Sequence, residues 1–180
     1  MKRVSLLVLS AFLALASCTT GTVTQVGPDG ERVQTPIYRI PVTRKAEVQF
    51  RMLDAVNALR SAAGLREVRL NSRLNAAAET HSRDMSIQNR PWHFGSDGSS
   101  PLDRVRRVGY DGRLLGENIS ETFETELQTL NVWMERPATR SVIMDTAATE
   151  MGFAWFQEGG GKIWWTLVMG GGGGAAAVQG

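Results

Sequence analysis

The side chains that could do chemistry are few. The chain has two histidines and one cysteine among its 180 residues. His93 stands in "PWHFGSDGSS", a stretch of Gly, Ser, Asp and Pro that reads as a loop, where an imidazole has no packing role. Two readings follow from the residues alone. His93 is a solvated loop residue, or it faces a partner from elsewhere in the chain and forms a site, since an imidazole fixed by a hydrogen bond at one nitrogen offers the other to a ligand, a proton or a metal. His81 differs. It recurs with Leu74, Ala78 and Met85 at helical spacing, which places it among core residues as a hydrogen-bonded histidine. Ser96, Ser99 and Ser100 are accounted for by loop and capping chemistry, and no serine or cysteine sits in a recognisable nucleophile motif.

Cys18 closes "MKRVSLLVLSAFLALASC". A short basic start, an apolar run too short to span a bilayer and small residues before the cysteine make a signal peptide over residues 1–17. The ending "LASC" resembles a bacterial lipobox, in which the cysteine receives lipid and becomes the new N-terminus. The expectation is a lipid-anchored protein of the cell envelope, with the outer membrane as default because Thr19, not an aspartate, follows Cys18. A lone cysteine excludes an intramolecular disulfide framework. Loss of Lys2 and Arg3 with the signal would leave 18 basic against 18 acidic residues, so nothing suggests nucleic acid or another polyanion.

The elements that must carry these residues lie between two low-complexity ends. Residues 18–43, rich in Thr, Gly and Pro, read as a tether with a turn at "GPDGE", around which a short hairpin fits. Residues 171–180 read as a Gly/Ala-rich tail. Within residues 44–170 the spacing predicts a helix over 44–63 (Val48, Met52, Val56, Leu59, Ala63) and another over 72–88. Ser100 as cap with Pro101 behind it starts a short third helix that stops at Gly109. A fourth is predicted over 121–135, with Phe123, Leu127, Leu130 and Met134 on its inner face and Pro137 as its bound. "MGFAWFQE" and "KIWWTLVMG", separated by glycines, read as a hairpin, with "ENIS" as a further strand. Strands apolar on both faces need cover on both, so the fold class is α+β, with a small antiparallel sheet between helices.

The order "LNSRLNAAAETHSRDM", "HFGSDGSSPLDRVRRVGY", "GENIS", "VWMERPATR" and a GFAW…WWT hairpin resembles the CAP (SCP) superfamily of cysteine-rich secretory, antigen 5 and pathogenesis-related proteins, in its bacterial, disulfide-free branch, over about residues 47–170. The resemblance implies a three-layer α-β-α sandwich. It also implies that His93 and Glu117, the glutamate of "GEN", face each other across a cleft. In the family a second glutamate and a second histidine complete a tetrad that holds a divalent metal in some members. Here Trp164 stands at the histidine position of the last strand and Leu167 at a glutamine position, while Thr139 replaces a histidine found in bacterial relatives. The second glutamate maps to Glu135 when counted back from Pro137, and to Arg136 when counted forward from Trp133. With only His93 and Glu117 matched, any divalent metal is expected to bind weakly, because a tight zinc site needs three or four protein ligands. The resemblance implies a non-enzymatic envelope module whose cleft takes a lipid, a peptide or a cell-wall fragment. The alternative is a metal-assisted hydrolase or protease using His93 and Glu117.

Overall fold

A computed structural model of the protein describes residues 22–26, 30–122 and 124–172. Residues 1–21, on which the signal-peptide and Cys18 lipidation readings fall, residues 27–29, Phe123 and the residues beyond 172 lie outside them. The chain divides into two units, Met1–Pro36 and Ile37–Gly180. In the first, β1 (Thr22–Val26) pairs antiparallel with β2 (Arg32–Pro36), Thr22 opposite Pro36 and Val26 opposite Arg32.

The second unit runs through a 3-10 turn (Val42–Arg44), α1 (Lys45–Ala62), β3 (Arg69–Leu70), α2 (Ser72–Gln88), α3 (Pro101–Arg107), β4 (Arg113–Thr122), α4 (Glu126–Glu135), α5 (Pro137–Ile143), β5 (Glu150–Gln157) and β6 (Ile163–Gly171). The sheet order is β3-β5-β6-β4. β4 and β5 both lie antiparallel to β6, but β3 lies parallel to β5, so the sheet is mixed rather than purely antiparallel. A long excursion through α2, α3, β4, α4 and α5 separates β3 from β5, and such a crossover allows parallel pairing.

Successive residues of the strands point to opposite faces. One face of β5 and β6 carries Phe153, Ile163, Trp165, Leu167 and Met169. These pack against Val48, Met52 and Val56 of α1, Leu130 and Trp133 of α4, and Ile143 of α5. Phe153 and Trp165 stack there with ring centroids 5.4 Å apart. Ala154 and Val168, on the other face, meet Leu74, Ala77 and Ala78 of α2, Val105 of α3, and Tyr110. The result is the expected α-β-α sandwich. α2 comes so near the sheet that a Cβ on Gly152 would run into the backbone of Leu74. Tyr38 and Ile40, from the stretch read as tether, also pack on the core, and Gln157 donates to the Tyr38 carbonyl at 2.6 Å. No helix among the described residues is long and apolar enough to cross a membrane.

The fourth helix starts later than its pattern suggested. Glu121 and Thr122 complete β4, opposite Trp164 and Ile163. Thr125 then caps α4 through a reciprocal pair with Gln128. Its inner face is consequently Glu126, Thr129, Leu130 and Trp133, while Leu127 is exposed. The Trp133 indole sets this rotation, donating to Ser120 Oγ at 2.8 Å. Pro137 does not end the helical region but opens α5, where its missing N–H is harmless.

Candidate functional site

The motif "GEN" places three different demands on one turn of β4. Gly116 follows a register shift in the β4–β6 pairing, and a Cβ there would press on Val142 of α5 at 2.7 Å. Glu117 points to the α2/α3 side of the sheet. Asn118 points the other way, donating from Nδ2 to the Thr139 carbonyl at 2.8 Å.

The loop after α2 brings His93 to Glu117. Asn89 ends α2 in the left-handed conformation, φ 51°. Asp84, still on α2, then pins the loop by accepting from the Ser96 amide at 2.7 Å and the Ser96 hydroxyl at 2.5 Å. α3 holds the other side. The Ser100–Asp103 capping box starts it, and one turn in, Arg104 donates from Nη1 to the carbonyls of His93 at 2.9 Å and Ser99 at 3.1 Å.

Glu117 is the centre of the arrangement, its side chain only 3 % exposed. Arg104 Nη2 donates to Oε1 at 2.9 Å and to Oε2 at 2.7 Å. His93 Nδ1 lies 2.9 Å from Oε1, and because an ionised carboxylate only accepts, the His93 proton sits on Nδ1. His81 Nε2 is 3.7 Å from the same oxygen, outside hydrogen-bonding distance. Burial by itself would raise the Glu117 pKa. The His93 hydrogen bond outweighs it together with the Arg104 guanidinium, and the carboxyl is held below the usual range.

His81 is fully buried on α2, as its spacing required; neither ring nitrogen makes a hydrogen bond of good geometry, though the Trp92 backbone lies near enough to favour a proton on the ring. Burial lowers its pKa, against the pull of Glu117 and with the help of the Arg104 charge, so the ring is held neutral. The expectation of a hydrogen-bonded core histidine is thus half right. His81 is core, but it abuts the site without a hydrogen bond of good geometry.

The other sequence candidates stay apart. Glu135 is exposed at the end of α4, a helix that packs on the face carrying Ser120, not on the face carrying Glu117. Arg136, its alternative, is exposed between α4 and α5. Trp164 is buried, its indole donating to Glu158 Oε1 at 2.6 Å beneath the Lys162 ammonium. Thr139 Oγ1 donates to the Trp133 carbonyl at 2.6 Å. Arg104 escaped the sequence reading. Its signal was there: it lies on the side of α3 that carries Pro101, Val105 and Val108, at helical spacing.

Outside this buried centre, His93 keeps 48 % of its side chain exposed. Trp92 and Phe94 flank it, both more than two-fifths exposed, with ring centroids 5.2 Å apart and the Arg90 guanidinium 3.7 Å over the Trp92 ring. Arg90, Trp92 and Phe94, with Gln88, Gly95, Ser96 and Gly98, line an open groove of about 450 Å³. Among the described residues, no hydroxyl or thiol hydrogen-bonds to the His93 ring. Nor do three histidine, cysteine, aspartate or glutamate side chains converge there to hold a metal ion. A divalent metal does not fit the donor set, because both Glu117 oxygens are already engaged by a fixed cation.

Comparison with known proteins adds the relationship. The model of the cysteine-rich secretory protein family (CAP) matches residues 53–169. The protein YkwD of Bacillus subtilis (strain 168) is 26% identical over 114 residues, 63% of this chain, and the chain spans 44% of that relative's length. An outer surface protein of Borrelia burgdorferi has a similar structure, with TM-score 0.65, 14% identity, and coverage of 75% of this chain and 98% of that one. So has an extracellular protein containing an SCP domain from Bacillus anthracis str. Ames, with TM-score 0.65, 19% identity and coverage of 78% and 46%.

Proposed function

We propose, for a chain that belongs to the cysteine-rich secretory protein family, that it is a binding module of the bacterial cell envelope, anchored by lipid on Cys18, and that its cleft holds a ligand without turning it over. One observation carries the reading. His93 is fixed at Nδ1 by a carboxylate that Arg104 has already neutralised, its side chain is half exposed, and its chain neighbours Trp92 and Phe94 are exposed aromatics that line an open groove. That combination suits a ligand with an apolar face for Trp92 and Phe94 and a hydrogen-bonding group for the imidazole. A lipid, a peptide and a cell-wall fragment each offer both. An envelope location is supported by the lipobox-like "LASC" and by the similar folds of an outer surface protein and an extracellular protein.

The test is retention against turnover. The full chain is incubated separately with envelope-lipid vesicles, envelope peptides and solubilised cell-wall fragments. Bound and cleaved species are then read by mass spectrometry. The expected result is saturable retention of one class, weakened by Trp92→Ala and by His93→Ala, with no new products. Products that accumulate with the native chain and vanish with His93→Ala would make the protein a hydrolase.

A further inference from the structure

We propose that Arg104 stands in the electrostatic place of a divalent cation at the His93–Glu117 cleft, and that the native chain is thereby built to keep a metal ion out of it. The inference is independent of which ligand the groove takes.

Two imidazoles approach one carboxylate oxygen, Glu117 Oε1: His93 Nδ1 at 2.9 Å and His81 Nε2 at 3.7 Å. The residue types would suit zinc, which accepts imidazole and carboxylate donors. Their hydrogen-bonding states would not. With Nδ1 donating to Oε1, the free lone pair of His93 is on Nε2, across the ring from Glu117, so the imidazole and the carboxylate do not converge on one ion in this arrangement. Oε1 also accepts from Arg104, and Oε2 accepts from the same guanidinium nitrogen.

Arg104 cannot step aside without loss. Its side chain is 5 % exposed, and its Nη1 ties the His93 and Ser99 carbonyls together, so the same residue shapes the loop and neutralises the carboxylate. A divalent ion on Glu117 would lie within a few ångströms of a buried monocation, where repulsion is poorly screened. Burial disfavours protonation of His81, and the guanidinium adds to that effect against the pull of Glu117. One positive charge therefore does what a metal would do, compensating Glu117 and organising the histidines around it.

Zinc calorimetry at neutral pH, on the full chain carrying Cys18→Ser to remove its only thiol, tests this. The parent is expected to show no saturable binding up to about 100 µM zinc, well short of the affinity of a three- or four-ligand site. Arg104→Gln, which keeps an amide donor near Glu117 but removes the charge, is expected to bind at least about tenfold more tightly. His93→Ala should abolish that gain. Arg104→Lys, which keeps the charge, should still exclude the metal. Saturable low-micromolar binding by the parent overturns the proposal, and so does a folded Arg104→Gln that takes up zinc no better than the parent. Should Arg104→Gln fail to fold, the Lys variant decides with the parent: both must exclude zinc, and uptake by either overturns the proposal.

Discussion

Arg104 and Glu117 form a buried ion pair in which one guanidinium nitrogen spans both carboxylate oxygens, at 2.9 and 2.7 Å, while the other secures the loop that carries His93. The pair joins α3 to β4, and the candidate site is organised from it.

Breaking this pair from one side is expected to be expensive. Arg104→Ala or Glu117→Ala leaves a buried charge uncompensated, and each should lower stability by about 3–5 kcal/mol. The double variant should cost clearly less than the sum of the two. Urea denaturation of the four proteins measures the coupling, and additive losses would show that the two side chains do not act as a pair.

Stability should fall on the acid side in two steps. His81 has a folded pKa below its ordinary 6.5, so stability is intact above that value and declines as the pH drops below it, because the unfolded chain takes the proton first. Glu117 is likewise depressed below 4.5, and its contribution, present above that value, is lost as the pH falls through the folded pKa. Urea midpoints measured from pH 8 to pH 3 should be level above about 7 and then decline. A midpoint that rises between pH 7 and 5 would contradict the burial of a neutral His81.

His81→Leu isolates the first step. The imidazole is buried with neither nitrogen in a hydrogen bond of good geometry, a desolvation loss of about 1–3 kcal/mol that an apolar side chain of similar size does not incur. The variant should be at least as stable as the native protein at pH 7 and should lose the decline just below pH 6.5. A loss of several kcal/mol at pH 7 would mean that the imidazole has a partner in solution.

Gly152→Ala tests how closely α2 docks. The new methyl would meet backbone atoms of Leu74, which cannot swing away as a flexible side chain would. A loss of about 1–3 kcal/mol is expected, the range for overpacking. The shift of α2 should also loosen Ser82, whose hydroxyl donates to Thr166 Oγ1 at 2.8 Å across the same interface. Unchanged thermal unfolding would show that the sheet relaxes at no loss.

Cys18→Ser addresses the anchor. The native chain should fractionate with membranes after detergent-free lysis, and the variant should remain unprocessed or be released. Identical partitioning of the two would remove the lipid anchor from the account.

Local patterns alone determined much of this protein. The stripe of Leu74, Ala78, His81 and Met85 specifies α2 and its buried face, because a 3.6-residue period needs no tertiary information. Ser100 and Pro101 specify the start of α3, since a cap acts within one turn. The apolar aromatic runs of β5 and β6 require layers on both faces, and the order of motifs carried the family and the pairing of His93 with Glu117. The tertiary structure decided what depends on distant neighbours. β4 extends to Thr122 because β6 is long enough to pair with it, which shortens the fourth helix and turns Trp133 inward. Glu135, plausible by counting, belongs to a helix on the opposite side of the sheet. Arg104, one of three arginines in "DRVRR", acquires its role only where α3 meets Glu117 across β4. A charge reads as solvated surface until the fold buries its partner, and neither the helix nor the strand records separately that the two will meet.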